Sequence, residues 1–283
     1  MTQVEYLLLG NILLATVVAF FGLALPGYYL VRRFWPESDW NLGGSVGTSA
    51  IQPLDLVIAG GFATMFVLNW KSIPESVAKA DLHSLTAGKV LIQAVFNLAL
   101  AAMIPLVMFW RVNVNEFFGL RWDGWRHLFW IVPSFVIGVF LVTFVMMQAG
   151  WNEWVDAHYG GTGQEAVTMI QETGNRRLLA AMAFSAVLVA PVAEEIIFRG
   201  YLYPVVKRFS ERWFAALFTG MLFGVVHFNL MSFPALVVMG VVLVVLYEIT
   251  GSLWVTIACH AAYNGTTIGL LLLARFNDIP LPK

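Results

Sequence analysis

Two adjacent glutamates lie in an apolar run of the sequence, Pro191-Val-Ala-Glu194-Glu195-Ile-Ile-Phe198-Arg199-Gly200. Ionisable groups are costly in such surroundings, which makes them candidates for function. Glu195 and Arg199 are spaced i,i+4 with the acid first, the favourable order for an ion pair on one helical face. Glu194 is rotated about 100° from Glu195 on a helix of 3.6 residues per turn. It has no opposite charge three or four residues on. The pair therefore reads as structural, and Glu194 as the group left for chemistry. Two more apolar runs each carry a histidine with an i,i+4 partner, Phe223-x-x-x-His227 and His260-x-x-x-Asn264. That spacing puts both members of each pair on one face.

A glutamate and a histidine lining a cavity can activate a water as general base. His227 would orient or share that water, with Phe223 packed beneath its ring. His260 and Asn264 would donate hydrogen bonds to a developing oxyanion. No serine, threonine or cysteine sits in a recognisable nucleophile context. The single cysteine, Cys259, neighbours His260 in sequence, but adjacent helical residues point about 100° apart. The residues by themselves read as hydrolysis by an activated water. One glutamate and two histidines also match a ligand set of catalytic zinc. Glu194, His227 and His260 are thus candidate ligands of a divalent metal such as zinc. The sequence has no His-Glu-x-x-His pair, and a metal-free site suits the same residues.

The elements that must position these groups follow from composition. Of the 283 residues, 59% are apolar and 12% charged, and the mean hydropathy is +0.77. Globular proteins carry about 25% charged residues, so this chain cannot cover a water-facing surface. Sixteen Lys and Arg against seventeen Asp and Glu leave a net charge of −1, and no basic field for nucleic acid. The expected class is all-α: one polytopic membrane domain over 1–283, with about eight transmembrane helices and an intramembrane polar cavity. A span needs about 20 apolar residues. The candidates are 6–31, 52–70, 90–110, 128–149, 185–207, 213–231, 234–250 and 252–274, the seventh being the shortest. The connection 150–177 holds a Gly160–Gly163 break and an expected short helix over 164–173.

Depth brings the motifs together. With Lys207, Arg212 and Gly251 at one membrane face, Glu194, His227 and Asn264 lie roughly 20 Å in and His260 roughly 14 Å in, at 1.5 Å per residue. Four polar residues from three helices fall in one layer near the midplane.

Glu194-Glu195-x-x-x-Arg199, Phe223-x-x-x-His227 and His260-x-x-x-Asn264, in that order, resemble the three motifs of the CAAX prenyl endopeptidase-like family, the CPBP or Abi intramembrane proteases. The motif-bearing core covers about 178–272. The resemblance implies an eight-helix membrane fold with its active site inside the bilayer. It implies water activation by Glu194 and His227, an oxyanion site at His260 and Asn264, and support from Glu195, Arg199 and Phe223. The family has been described both as metalloproteases and as metal-free, glutamate-dependent enzymes. The implied partner is a membrane-associated peptide or lipidated protein, in some members prenylated, cleaved in the lipid bilayer. An integral, multi-pass location in a prokaryotic cell (inner) membrane is expected. Two other readings are a non-catalytic immunity or scaffold protein of the same fold, and a proton-coupled transporter using the Glu/His layer as a relay.

Other polar residues read as structural. Gln93 and Asn97 are expected to bond a neighbouring helix, with cavity lining as the alternative. Asp55, near a helix start, and Glu248, near a helix end, are expected at the interface. His83, His127 and His158 are expected in solvated connections. The tryptophans at span ends read as an anchoring belt.

Overall fold

A computed structural model describes residues 3–36, 44–72, 85–159, 169–170 and 173–277, and among them there is no strand. Among the described residues the helices longer than one turn are α1 (3–34), α2 (Pro53–Ser72), α3 (Ala87–Phe109), α4 (Leu128–Gln148), α5 (Trp151–Tyr159), α6 (Arg176–Phe209), α7 (Arg212–Val225), α8 (Phe233–Thr250) and α9 (Leu253–Phe276). Every expected span falls on a helix. Among the described residues six are long and apolar enough to cross a bilayer, within α1, α3, α4, α6, α8 and α9. The apolar part of α2, Pro53–Thr64, and α7 are shorter. The chain is a polytopic all-α integral membrane protein, because in lipid a helix satisfies its own backbone. The Gly160–Gly163 break, His83 and most of the helix expected over 164–173 lie outside the described residues.

The apolar residues are divided between a core and an outward face. In α6 and α8, 44% of the spanning window is buried, against 17% in α3 and 11% in α4. Of the long helices, α6, which carries the first motif, and α8 are thus the most enclosed, and α3 and α4 face outward the most. Trp35, Trp110, Trp125 and Trp213 stand exposed at helix ends, as an anchoring belt requires. His127 and His158 are exposed, as expected of connections. The backbones of α7 and α8 meet through glycine: a Cβ on Gly240 would lie 2.8 Å from Gly220 Cα. Small residues permit such close crossings in membranes.

Helix boundaries differ from the expectation in two places that matter. The fifth span begins at Arg176 rather than 185, because Asn175 caps it by accepting from the Arg177 and Leu178 amides. The sixth ends at Val225, not at 231. Phe228 adopts φ 47, and Asn229 Oδ1 accepts from the Ser232 amide at 2.7 Å, so 226–232 form a turn before Pro234 opens α8. His227 therefore sits in a turn, just past its helix.

Three π-helical turns, Phe20–Ala24, Ser185–Val189 and Phe198–Leu202, share one cause. Each is followed by one residue and then a proline: Leu25-Pro26, Ala190-Pro191 and Tyr203-Pro204. In each, the residue before proline donates its N–H to the carbonyl five positions back. Proline removes a donor and its ring crowds the carbonyl four residues earlier. The widened turn relieves that crowding. Two of these turns flank the Glu194-Glu195 pair.

Two carboxylates expected at the interface are instead buried in ion pairs. Asp55, fully buried, binds the Arg111 guanidinium and accepts from Tyr201 Oη of α6 at 3.0 Å. Glu248 takes Lys207 Nζ at 2.6 Å and Tyr203 Oη at 2.6 Å. Lys207, read from sequence as a marker of the membrane face, is only 1% exposed. These links tie α6 to α2 and α8, and so fix the helix that carries the first motif.

Candidate active site

Glu194 and Glu195 occupy the regular turns Ala190–Ile197, between the two π segments of α6. Glu195 points into protein and is fully buried. Its Oε1 accepts from Arg199 Nη1 at 2.7 Å and lies 2.9 Å from His260 Nδ1. Arg199 Nη2 donates to the Gly240 carbonyl at 3.1 Å. The guanidinium also stacks 4.6 Å from the Phe223 ring centroid. A buried charge without such partners would be strongly destabilising. The i,i+4 ion pair is thus present, and it holds a histidine the sequence did not connect to it.

Glu194 points the other way. Its Oε2 is buried and makes no hydrogen bond among the described residues. It faces His227 Nε2 at 3.8 Å and His260 Nε2 at 3.9 Å. Both rings are fixed from behind. His227 Nδ1–H donates to the Phe223 carbonyl at 2.7 Å, satisfying one of the last carbonyls of α7. His260 Nδ1 is held by Glu195. A proton on Nδ1 leaves Nε2 an acceptor in the neutral ring and a second donor in the imidazolium, and in both rings it is Nε2 that faces Glu194. Phe223 is buried between them, its ring 4.7 Å from His227 and 5.7 Å from His260, centroid to centroid.

Asn264 makes a bond that its spacing did not announce. Its Nδ2 donates to the Ala186 carbonyl at 2.8 Å. Ala186 lies in the π turn before Pro191. The residue five on is Pro191 itself, which has no N–H, and the Ala190 N–H goes to Ser185. Asn264 supplies the donor that proline removed. It shares a helix face with His260, and neither residue is among those that line the cavity beside Glu194.

That cavity, about 310 Å³, is walled by Glu194, His227 and Phe198 on the motif side and by Phe62, Asn97 and Leu100 from α2 and α3. This is within the usual size of small-ligand pockets, about 300–1,000 Å³. The early helices, which carry no motif, supply three of its ten lining residues. Asn97 lines it, and its bond is to Gln93 of its own helix, Gln93 Nε2 to Asn97 Oδ1 at 2.9 Å. Cavity lining, the alternative reading of this pair, holds for Asn97, while Gln93 is exposed and is not among the lining residues.

Glu194, His227 and His260 were also candidate metal ligands. Among the described residues no three His, Cys, Asp or Glu side chains form a group that could hold a metal ion. Ligands about 2.0–2.1 Å from a tetrahedral zinc would approach one another more closely than these atoms do. No step is therefore routed through a metal.

Residues 176–266 match the family model described as "Type II CAAX prenyl endopeptidase Rce1-like". These residues are therefore similar to the domain of that family. The matched stretch runs from the first residue of α6 into α9 and contains every residue of the three motifs. The chain is also 26% identical over 137 residues to "Putative membrane peptidase YdiL" of Bacillus subtilis (strain 168). The alignment covers 48% of this chain and 53% of that relative, so the chain spans about half the length of the curated relative it matches. No solved structure matches the chain.

Proposed function

We propose that the protein is an intramembrane endopeptidase that hydrolyses a peptide bond of a membrane-associated substrate with a water activated by Glu194 and His227. The observation that carries this reading is the orphaned Glu194 Oε2, faced by two imidazole Nε2 atoms at 3.8 and 3.9 Å at the edge of a cavity. An oxygen about 2.8 Å from Glu194 Oε2 is within hydrogen-bond reach of either ring. Glu194 takes one proton from that water while His227 Nε2 accepts from the other O–H. The water oxygen bonds to the carbonyl carbon, and the carbonyl π pair moves onto its oxygen. An imidazolium at His260, its Nδ1–H on Glu195, presents Nε2–H to that oxyanion. Collapse re-forms the C=O and breaks the C–N bond. Glu194 returns its proton to the leaving amine, giving a carboxylic acid and an amine. Asn264 enters this scheme as the tie that sets α9 against α6.

The matched family supports a lipidated substrate, with prenylated CAAX-type peptides the first to test. The bacterial relative supports a prokaryotic cell membrane as the location. The test is purified protein in detergent with quenched peptides, prenylated and unprenylated. Cleavage lost on Glu194→Gln supports the reading. A Glu194→Gln protein as active as wild type ends it. Biological complementation by a Glu194→Ala/His227→Ala double variant would favour a non-catalytic scaffold instead.

A further inference from the structure

We propose that Asn97 is a substrate-binding residue whose Nδ2 donates a hydrogen bond to a backbone carbonyl oxygen of the bound peptide. The proposal rests on the hydrolase reading for the chemical class of its ligand. Of the residues lining the cavity, three are polar: Glu194, His227 and Asn97. The first two are occupied with the reacting water, and Asn264 is committed to the Ala186 carbonyl. Asn97 is the one neutral amide at the cavity wall.

Its orientation is set from its own helix. Gln93 Nε2 occupies Asn97 Oδ1 at 2.9 Å, which turns the acceptor end of the amide back along α3. No hydrogen bond is made to Asn97 Nδ2 among the described residues, so its N–H groups are free for a ligand. The location is unusual for two amides. Only 17% of the α3 spanning window is buried, and Gln93 itself is exposed. Polar groups facing hydrocarbon are costly unless they find partners. A peptide presented for cleavage has the matching problem: once extended, its main-chain groups have no partners in lipid. An amide on the outer wall, one helical turn from a second amide and beside the cavity, answers both costs at once. It also gives α3, which carries none of the motifs, a role in recognising peptide main chain rather than side chains.

The test measures binding apart from cleavage. A fluorescent farnesylated peptide is titrated by anisotropy against the full-length Glu194→Gln protein in detergent. The same titration is repeated with Asn97→Leu and with Asn97→Asp, which keeps the shape and removes the amide donor. Both additions are expected to weaken Kd about tenfold without changing the melting temperature, a loss of the size of one hydrogen bond. Unchanged Kd in the Asp variant, or no binding by any of the proteins, overturns the assignment. Binding with the expected Asn97 effect but no cleavage by the chain with Glu194 intact would sink the hydrolase reading alone. Cleavage by wild type with unaltered binding by the Asn97 variants would sink the Asn97 assignment alone.

Discussion

Glu195 holds His260 across two helices, with Oε1 2.9 Å from Nδ1, while its own charge is met by Arg199 at 2.7 Å. The neighbouring Glu194 faces the opposite side of that same ring. One imidazole is thus shared between a carboxylate that fixes it and a carboxylate free to act. Outer partners of this kind orient a histidine, and where they hold metal-bound histidines their loss typically costs about 10–100-fold in affinity or activity.

Glu195→Gln should therefore lower kcat/KM about 10–100-fold. It should also lower the melting temperature sharply, because Arg199 would be left buried without a counter-charge, at a cost of about 3–5 kcal/mol. The two effects separate in the Glu195→Gln/Arg199→Met double variant. Stability should recover while activity stays low, since His260 still lacks its carboxylate. Recovery of activity in the double variant would mean that Glu195 matters only to folding.

Glu194→Gln should behave in the opposite way. Loss of a general base costs about 10²–10⁴-fold in rate. Yet Glu194 Oε2 makes no hydrogen bond that folding would miss, and an unmet buried acceptor is itself destabilising. The melting temperature in detergent should hold steady or rise, a trade common at functional sites. A marked drop in stability would show that Glu194 is a packing residue.

Asn264 and Pro191 make a reciprocal pair. Asn264→Ala frees the Ala186 carbonyl and should cost about 1–2 kcal/mol, the range of membrane hydrogen bonds at its upper end. Pro191→Ala restores a backbone N–H that can reach the same carbonyl, so the double variant should be more stable than Asn264→Ala alone. Peptide cleavage by Asn264→Ala, measured below its melting temperature, should stay well above that of Glu194→Gln. Thermal melts of the four proteins complete the cycle, and strict additivity would refute the coupling.

Much of this was written in local spacing. The apolar runs mark the helices, and i,i+4 pairs show that Glu195 meets Arg199 and that Phe223 lies under His227. The bond between Glu195 and His260 joins residues 65 apart in sequence, and no local pattern announces it. The role of Asn264 depends on a π turn that proline alone does not foretell. Pro105 and Pro133 lie inside α3 and α4 without one. The end of α7 at Val225 was hidden because an apolar stretch continues past it, and only the turn chemistry of Asn229 and Pro234 stops the helix. Asp55 and Glu248 read as interfacial because their cationic partners, Arg111 and Lys207, lie far away in sequence.

The Lys207–Glu248 pair gives the last prediction. Lys207 Nζ donates to Glu248 Oε1 and, at 2.9 Å, to the Val46 carbonyl, and the Val46 and Ser45 amides return to Glu248. Gly44, at φ 88, passes so close that a Cβ there would overlap the carboxylate. One buried ion pair thus clamps the segment 44–48 onto the ends of α6 and α8. Glu248→Gln removes the carboxylate that Lys207 and Tyr203 bind, and breaking this buried pair should destabilise by about 3–5 kcal/mol. Lys207→Met with Glu248→Leu removes both charges and should regain much of that loss, because an apolar replacement of a buried pair is often neutral. Lys207 lies about 20 Å along α6 from Glu194, at 1.5 Å per residue, so kcat measured well below the melting temperature should be unchanged in either variant. A fall in kcat with intact stability would reveal a direct link from this clamp to the reacting groups.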